Sequence, residues 1–195
     1  MLTHRLATSA DIDALTALMA LSIGTLQRDF LNDAQIAASR MVMGLDTQLI
    51  ADQTYFAIEE AGQIIGCGGW SLRATLHGGD HSAALRNAAL LDPAQDEARV
   101  RAMYTHPQFT RRGIGRLVLS LCEAAALEAG FSRVVLMATL SGEPLYRACG
   151  YHEIERINEE AVAGVVVPLI RMGKLLLTPE NLVAEEGLEP PTRGL

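Results

Sequence analysis

The sequence predicts an α/β protein built on a mixed β-sheet. Segments 98–105 and 131–139 are extended and apolar, and residues 114–126 between them carry apolar side chains at helical spacing. A strand–helix–strand unit of this kind joins parallel strands through a right-handed connection. A β-hairpin is also predicted, because strands at 55–59 and 64–71 are separated by a short turn. We therefore expect helices packed on a sheet that contains both parallel and antiparallel strands.

Length and charge limit the class of protein. The 195 residues, of which 49% are hydrophobic and 20% charged, suffice for one domain with a sizeable core. We assign residues 1–176 to this domain and 177–195 to a tail outside the fold, because the tail lacks hydrophobic periodicity. The net charge of −7 disfavours a nucleic-acid partner, since such binding needs a basic surface.

The N-terminus and the cysteines predict a cytoplasmic protein. Residues 3–13 carry charges where a signal peptide needs an apolar core, and apolar runs elsewhere are short or interrupted. No membrane partner is therefore expected. Cys67, Cys122 and Cys149 are odd in number and lie in apolar or helical contexts, which favours reduced thiols.

Two helices are predicted before the hairpin, both over one face of the sheet. After a short strand at 2–6, Thr8 or Ser9 caps a helix whose apolar stripe runs to Leu26. Asn32 begins a second helix, which stops at Gly44. Within the hairpin, Trp70 is interpreted as a core residue rather than part of a pocket.

The segment 73–97 has no clean period and is predicted to be a long loop with a short helix at 83–91. His77 and His81 are four residues apart, but the two glycines between them disfavour the helix that would make them a metal-binding pair. We predict a solvated loop here and no metal site.

The turn before the central helix predicts a site for a phosphorylated ligand. A helix N-terminus offers free N–H groups and partial positive charge. This turn combines glycines with arginines, namely Arg111, Arg112, Gly113, Gly115 and Arg116. Because Gly-x-Gly alone is a weak signal, a tight turn with solvated arginines is the alternative. A dinucleotide fingerprint and a P-loop are disfavoured, because Val118 and Leu117 stand where those motifs need Gly and Ser/Thr.

Two motifs together carry a family resemblance. Thr105-His106-Pro107, followed by Thr110-Arg111-Arg112-Gly113-Ile114-Gly115, ends a strand and opens a helix. Leu145-Tyr146-Arg147-Ala148-Cys149-Gly150-Tyr151 places a tyrosine before a Gly–aromatic pair. At this separation the two motifs resemble the GNAT family, the GCN5-related N-acetyltransferases, over residues 1–176. Thr110 departs from the Gln or Arg that the family usually has at this place.

The resemblance implies a mostly antiparallel sheet of six to seven strands, whose central parallel pair splays apart to admit acetyl-CoA. The turn residues would hold its pyrophosphate through main-chain N–H groups: Arg111, Arg112, Gly113, Ile114, Gly115 and Arg116. The main chain of Met103, Tyr104 and Thr105 would pair with the pantetheine like an added strand. Thr139 stands where family members often have Asn. The contact that this Asn would make is therefore either weakened here or made by the Thr139 hydroxyl.

The resemblance also implies an acetyl-CoA-dependent N-acetyltransferase acting on a primary amine of a small molecule or peptide. Tyr146 is the candidate general acid that protonates the CoA thiolate after direct attack by the amine. The general base is not assigned. Glu97, Glu143 and His106 are the candidates, and each would accept the proton of the amine through water. Cys149 is interpreted as structural, because direct transfer needs no acetyl-cysteine.

Two other functions are weighed. The same fold would suit a non-catalytic acyl-CoA-binding or regulatory module, which a screen of amines with CoA release as readout distinguishes. An acetyltransferase acting on charged tRNA is disfavoured by the acidic balance. Residues 20–55 and 73–97 are expected to line the acceptor pocket without naming the acceptor. A homodimer is common among similar folds.

Overall fold

The computed structural model describes residues 1–162 and 164–176, which form seven strands and five α-helices. The strands are β1 (Thr3–Leu6), β2 (Tyr55–Glu60), β3 (Gln63–Ser71), β4 (Ala98–Thr105), β5 (Arg133–Thr139), β6 (His152–Val162) and β7 (Val165–Leu175). The helices are α1 (Ile12–Leu26), α2 (Asp33–Val42), α3 (Thr47–Ala51), α4 (Ile114–Glu128) and α5 (Glu143–Ala148). The tail predicted at 177–195 lies outside the described residues.

The sheet confirms the predicted α/β class with a mixed sheet. Its strand order is β1-β2-β3-β4-β5-β7-β6. β4 and β5 are parallel, and every other neighbouring pair is antiparallel. Because α4 connects β4 to β5, the predicted strand–helix–strand unit occupies the middle of the sheet.

Helix α4 covers one face of the sheet. Its apolar stripe, which includes Ile114, Val118 and Cys122, is buried against β3, β4 and β5. Trp70 is buried in the same cluster and meets the ring of Phe131 edge-on at 6.1 Å. Trp70 is therefore a core residue, as predicted.

Helices α1 and α2 cover the opposite face. Leu15, Met19 and Ile23 of α1 are buried against β3 and β4, and Ile36 of α2 packs with Val167 of β7. By length and hydropathy alone the segment 9–26 would pass as a membrane-spanning helix, with a mean hydropathy of 1.3. In the structure its apolar side is part of the core beneath the sheet, as in many core helices.

Two local predictions are wrong. A short helix was expected at 83–91, but a single 3-10 turn forms at Ala83–Leu85. The following residues run antiparallel to the segment just after β3, where Arg73 pairs with Leu90 and the Thr75 hydroxyl and the Asn87 main chain bond reciprocally at 2.9 Å. The sequence Ser141-Gly142-Glu143-Pro144 predicts that Ser141 caps α5, but Gly142 precedes that helix and the Ser141 hydroxyl lies 3.1 Å from Thr139 Oγ1.

Candidate active site

Strands β4 and β5 diverge in the middle of the sheet and open a cleft. They pair only over Ala98–Val100 and Val134–Leu136, although they run on to Thr105 and Thr139. A cleft of about 1170 Å³ begins where the pairing stops, and its walls include the start of α4, helix α5 and the loop at 76–85. The splayed parallel pair implied by the sequence resemblance is therefore present.

Strand β4 carries a bulge beside this cleft. Its register against β3 shifts so that Ala102 and Met103 together oppose Gly68. Ala102 has a φ of 50°, a left-handed conformation that costs a residue with a side chain about 1 kcal/mol or more. A Cβ on Gly68 would lie 2.6 Å from Val118 Cγ1 of α4 and 2.7 Å from Met103 Cγ, so the close packing of α4 and the bulge against this position favours glycine. The extra residue takes main-chain groups out of the ladder where the strand lines the cleft.

The turn between β4 and α4 has the geometry of an anion-binding loop. After a 3-10 turn at Pro107–Phe109, Arg111 and Gly113 adopt φ values of 63° and 82°. The amide of Leu117 bonds to the carbonyl of Gly113 at 2.9 Å, so the helical amides before it have no acceptor within the helix. Nothing lies within 4 Å of the place that a Cβ would take at Gly113, so the space beside the start of the helix is open at this residue.

The three arginines of the turn have different surroundings. Arg111 and Arg116 line the cleft, whereas the Arg112 side chain points to the β2–β3 turn. Its guanidinium bonds both carboxylate oxygens of Glu60 at 2.9 and 2.7 Å and lies 5.1 Å from the centre of the Phe109 ring. This pairing lowers the pKa of the Glu60 carboxyl. Arg112 therefore fixes the turn from outside, and two arginines face the cleft.

Tyr146 lies across the cleft from the bulge. Its hydroxyl is 3.9 Å from the sulfur of Met103, and its ring meets that of Tyr151 edge-on at 5.9 Å. Burial raises the pKa of the Tyr146 phenol above its ordinary range. The side chain is therefore a protonated donor at any pH near neutral.

The structure places ten of the eleven predicted site residues around one cleft. They are Met103, Tyr104, Thr105, Arg111, Gly113, Ile114, Gly115, Arg116, Thr139 and Tyr146. The Thr139 hydroxyl accepts a bond from the Gly142 amide at 3.3 Å, which shapes the turn into α5. The Arg112 side chain is the one that lies elsewhere. The roles of these residues stay predictions.

Comparison with models of known protein families shows the family of this chain. The model of the acetyltransferase (GNAT) family matches residues 25–151. The chain belongs to the GNAT family. No curated protein matches it.

Solved structures share this GNAT fold at low sequence identity. A GCN5-related N-acetyltransferase from Rhodopseudomonas palustris is 17% identical with a TM-score of 0.65, covering 89% of this chain and 95% of its own. The PaiA N-acetyltransferase of Thermoplasma acidophilum, solved with coenzyme A, is 12% identical with a TM-score of 0.60 and coverages of 90% and 99%. YncA of Salmonella typhimurium, solved with acetyl-CoA, is 18% identical with a TM-score of 0.58 and coverages of 90% and 94%. At these identities the likeness shows the fold alone.

None of the three candidate bases lines the cleft of this GNAT protein within the described part of the chain. Glu97 lies beside Arg99, with 3.3 Å between carboxylate oxygen and guanidinium nitrogen. Glu143 pairs with Arg147, one turn later on α5. The Nδ1 atom of His106 accepts a bond from the amide of the 3-10 turn that follows it. These side chains therefore have structural partners and lie outside the lining of the cleft.

The histidine loop, residues 77–82, forms one wall of the cleft. His77 and His81 lie in a loop, as predicted, and both also line the cleft. The guanidinium of Arg101 donates to the carbonyl of Gly78 at 2.8 Å, and the Gly79 amide bonds to the end of α2. Arg101 directly precedes the bulge, so the loop is held next to it. Sequence spacing could not predict that this loop lies beside the bulge, because the contacts that hold it there join distant segments of the chain.

A buried ion pair fixes the histidine loop. Arg101 and Asp46 meet at 2.5 Å, with side chains 3% and 4% exposed. Asp46 also accepts bonds from Arg86 at 3.1 Å and from the amide of Gln48 at 3.0 Å. Arg86 in turn bonds Asp80 of the loop at 2.6 Å. This chain of charges connects the loop to β4.

Proposed function

We propose that the protein is an acetyl-CoA-dependent N-acetyltransferase that passes an acetyl group directly to a primary amine. The observation that carries this proposal is the continuous cleft from the glycine turn at 111–116, along the open edge of β4, to Tyr146. A thioester lying in such a cleft would meet a different set of groups at its diphosphate, its pantetheine arm and its acetyl end. The shared fold with proteins solved with CoA and acetyl-CoA supports this choice.

The start of α4 suits the diphosphate of the donor. The open amides at 113–116 and the guanidinium groups of Arg111 and Arg116 offer N–H donors and positive charge. The pantetheine arm contains amide groups. These would pair with the main chain of Met103–Thr105, whose side toward β5 has no strand opposite.

The bulge and Tyr146 suit the chemistry of transfer. As the amine nitrogen bonds to the acetyl carbon, the carbonyl oxygen gains negative charge and the C–S bond then breaks. Main-chain N–H groups at Ala102 and Met103, outside the regular ladder, would donate to that oxygen. Tyr146 would give its phenolic proton to the leaving sulfur. Its raised pKa means that the phenol carries this proton at neutral pH.

The attacking amine must lose a proton during the reaction. His77 and His81 line the acceptor side of the cleft, and imidazole is the side chain that accepts protons near neutral pH. The proposal therefore gives the role of proton acceptor to one of these two residues, directly or through water, in place of Glu97, Glu143 and His106.

Calorimetry with acetyl-CoA, combined with a CoA-release assay over a panel of amines, tests the proposed function. Binding together with amine-dependent CoA release is the expected result. Binding without release for any amine would instead assign the chain to a non-catalytic acyl-CoA-binding module. Absence of heat with both CoA and acetyl-CoA would reject the donor itself.

A further inference from the structure

We infer that the acceptor is a primary amine on an uncharged, mostly apolar body, and not a polyamine or another polycation. This inference rests on the proposed function and concerns the acceptor end of the same cleft. That end is bounded by the second half of α1, by α2, by the loop at 76–85 and by the β7 residues near Val167 and Leu169.

Apolar side chains make up most of the walls of the acceptor end. Hydrophobic side chains from α1, the α1–α2 connection, α2, the loop at 76–85 and β7 line it, including Ile23, Leu26, Phe30, Met41, Leu85 and Leu169. Side chains of this kind gain free energy by covering hydrocarbon, and they offer an ammonium group neither a hydrogen-bond acceptor nor a countercharge. The shape of the site thus favours a substrate with hydrocarbon next to its amine.

The polar groups of these walls carry no negative charge. None of the described residues that line the cleft is Asp or Glu. Arg101 is the charged residue of the acceptor end, and its buried pairing with Asp46 neutralises it. Arg111 and Arg116 lie at the diphosphate end and add positive charge. A polycation entering this cleft would lose its hydration without meeting a carboxylate, which is strongly unfavourable.

Neutral hydrogen-bonding groups are present on the α1–α2 wall. Gln27 and Ser39 line the cleft and are 4% and 2% exposed. Gln27 Oε1 and Ser39 Oγ have no hydrogen-bond partner among the described residues. Because buried polar atoms are usually paired, this wall is suited to an acceptor with a hydroxyl or amide on its apolar body.

The rim of the cleft is apolar as well. Phe30 and Met41 line the cleft and remain 47% and 60% exposed. Large apolar side chains at the edge of a pocket are typical of surfaces that contact a ligand. An apolar environment also favours the neutral form of a primary amine, which is the form that attacks the thioester.

The test compares phenethylamine with spermidine at saturating acetyl-CoA. We expect kcat/KM for phenethylamine to exceed that for spermidine by about tenfold or more, because only spermidine must bring extra charges into the apolar end. Equal or better use of spermidine would overturn the inference and leave the proposed acetyltransferase intact. Acetyl-CoA binding with no use of phenethylamine, phenylalaninamide or other apolar amines would also overturn it. Failure to bind acetyl-CoA would reject the proposed function first.

A charge-inserting variant gives a second test. Phe30→Glu places a carboxylate on the rim, and we expect the phenethylamine-to-spermidine ratio of kcat/KM to fall about fivefold or more. Leu21→Glu is the matched control, because Leu21 is 45% exposed on α1 and lies outside the cleft lining. A ratio that changes equally in both variants, or in neither, would contradict the placement of the acceptor at this rim.

Discussion

The hydroxyl of Tyr55 donates a 2.6 Å hydrogen bond to the carbonyl of Ala102, the residue with positive φ in the β4 bulge. Tyr55 is fully buried, so this bond fixes the bulge from beneath. Tyr55→Phe should lower the free energy of unfolding by about 1 kcal/mol and reduce kcat about tenfold, because the main-chain donors at the bulge lose their fixed position.

Thr54→Val is the matched control for this variant. It removes another buried hydroxyl, which bonds the carbonyl of Leu49 at 3.2 Å and does not touch the bulge. Urea unfolding and steady-state kinetics on both variants separate the two effects. An equal loss of kcat in Thr54→Val would show that Tyr55 acts through general stability and has no positioning role.

Tyr146→Phe should lower kcat about a hundredfold while the Kd for acetyl-CoA changes little, because the proton donor is lost and the donor-binding groups stay. Tyr151→Phe serves as control, since its ring packs on Tyr146 but lies outside the cleft lining. Isothermal titration and initial rates measure the two quantities. An unchanged kcat would remove Tyr146 from the mechanism.

The pKa of Tyr146 also predicts the alkaline side of the pH–rate profile. A raised pKa means that the protonated, donating form persists above the ordinary phenol value of about 10. We therefore expect no loss of kcat between about pH 8 and 10 from this group. A decline in that range that disappears in Tyr146→Phe would contradict the assignment.

Removing either of the two arginines of the 111–116 turn that line the cleft should weaken CoA binding. Arg111→Ala and Arg116→Ala are each expected to raise the Kd for CoA about tenfold at low salt, with a smaller effect at high salt, because a charge-assisted contact to phosphate is lost. Arg133→Ala removes the same charge at the far end of β5, where it bonds the Gln95 carbonyl, and is the control. A uniform effect of all three would indicate long-range attraction only.

The Asp46–Arg101 pair predicts a large stability effect. Asp46→Ala should lower the free energy of unfolding by about 3–5 kcal/mol, because it leaves the buried guanidinium unpaired. Combining it with Arg101→Met should recover much of that loss, since no buried charge then remains. Denaturant midpoints for the single and double variants measure both values. Additive losses would mean that the two groups do not compensate each other.

The histidine loop predicts the route of the amine proton. If His77 or His81 accepts it, one of His77→Asn and His81→Asn should lower kcat about a hundredfold at neutral pH with an unchanged Kd for acetyl-CoA. His152→Asn, on the exposed strand β6 outside the cleft lining, is the control. Full activity in the double variant would reject both residues and leave the proton to water.

Local patterns predicted the parts of the fold that depend on neighbours in sequence. The strand–helix–strand unit around Gly113 and the core position of Trp70 follow from periodicity and turn residues. The β4 bulge does not, because it depends on Tyr55 and Gly68, which are distant in the chain. Arg112 shows the same limit, since its partner Glu60 lies 52 residues away. Several arginines in one turn indicate an anionic ligand. They cannot show which of these arginines is already paired with a carboxylate of the protein itself.

The short ladder between β4 and β5 has a consequence for the lifetime of the folded chain. In the described residues, the β1-β2-β3-β4 half of the sheet is joined to the β5-β7-β6 half by a ladder of three residue pairs between β4 and β5. A donor lying in the gap would supply the contacts that a longer ladder would have made, and such a ligand stabilises the folded state by mass action. The abundance of the intact enzyme in a cell would then follow the supply of the metabolite it consumes.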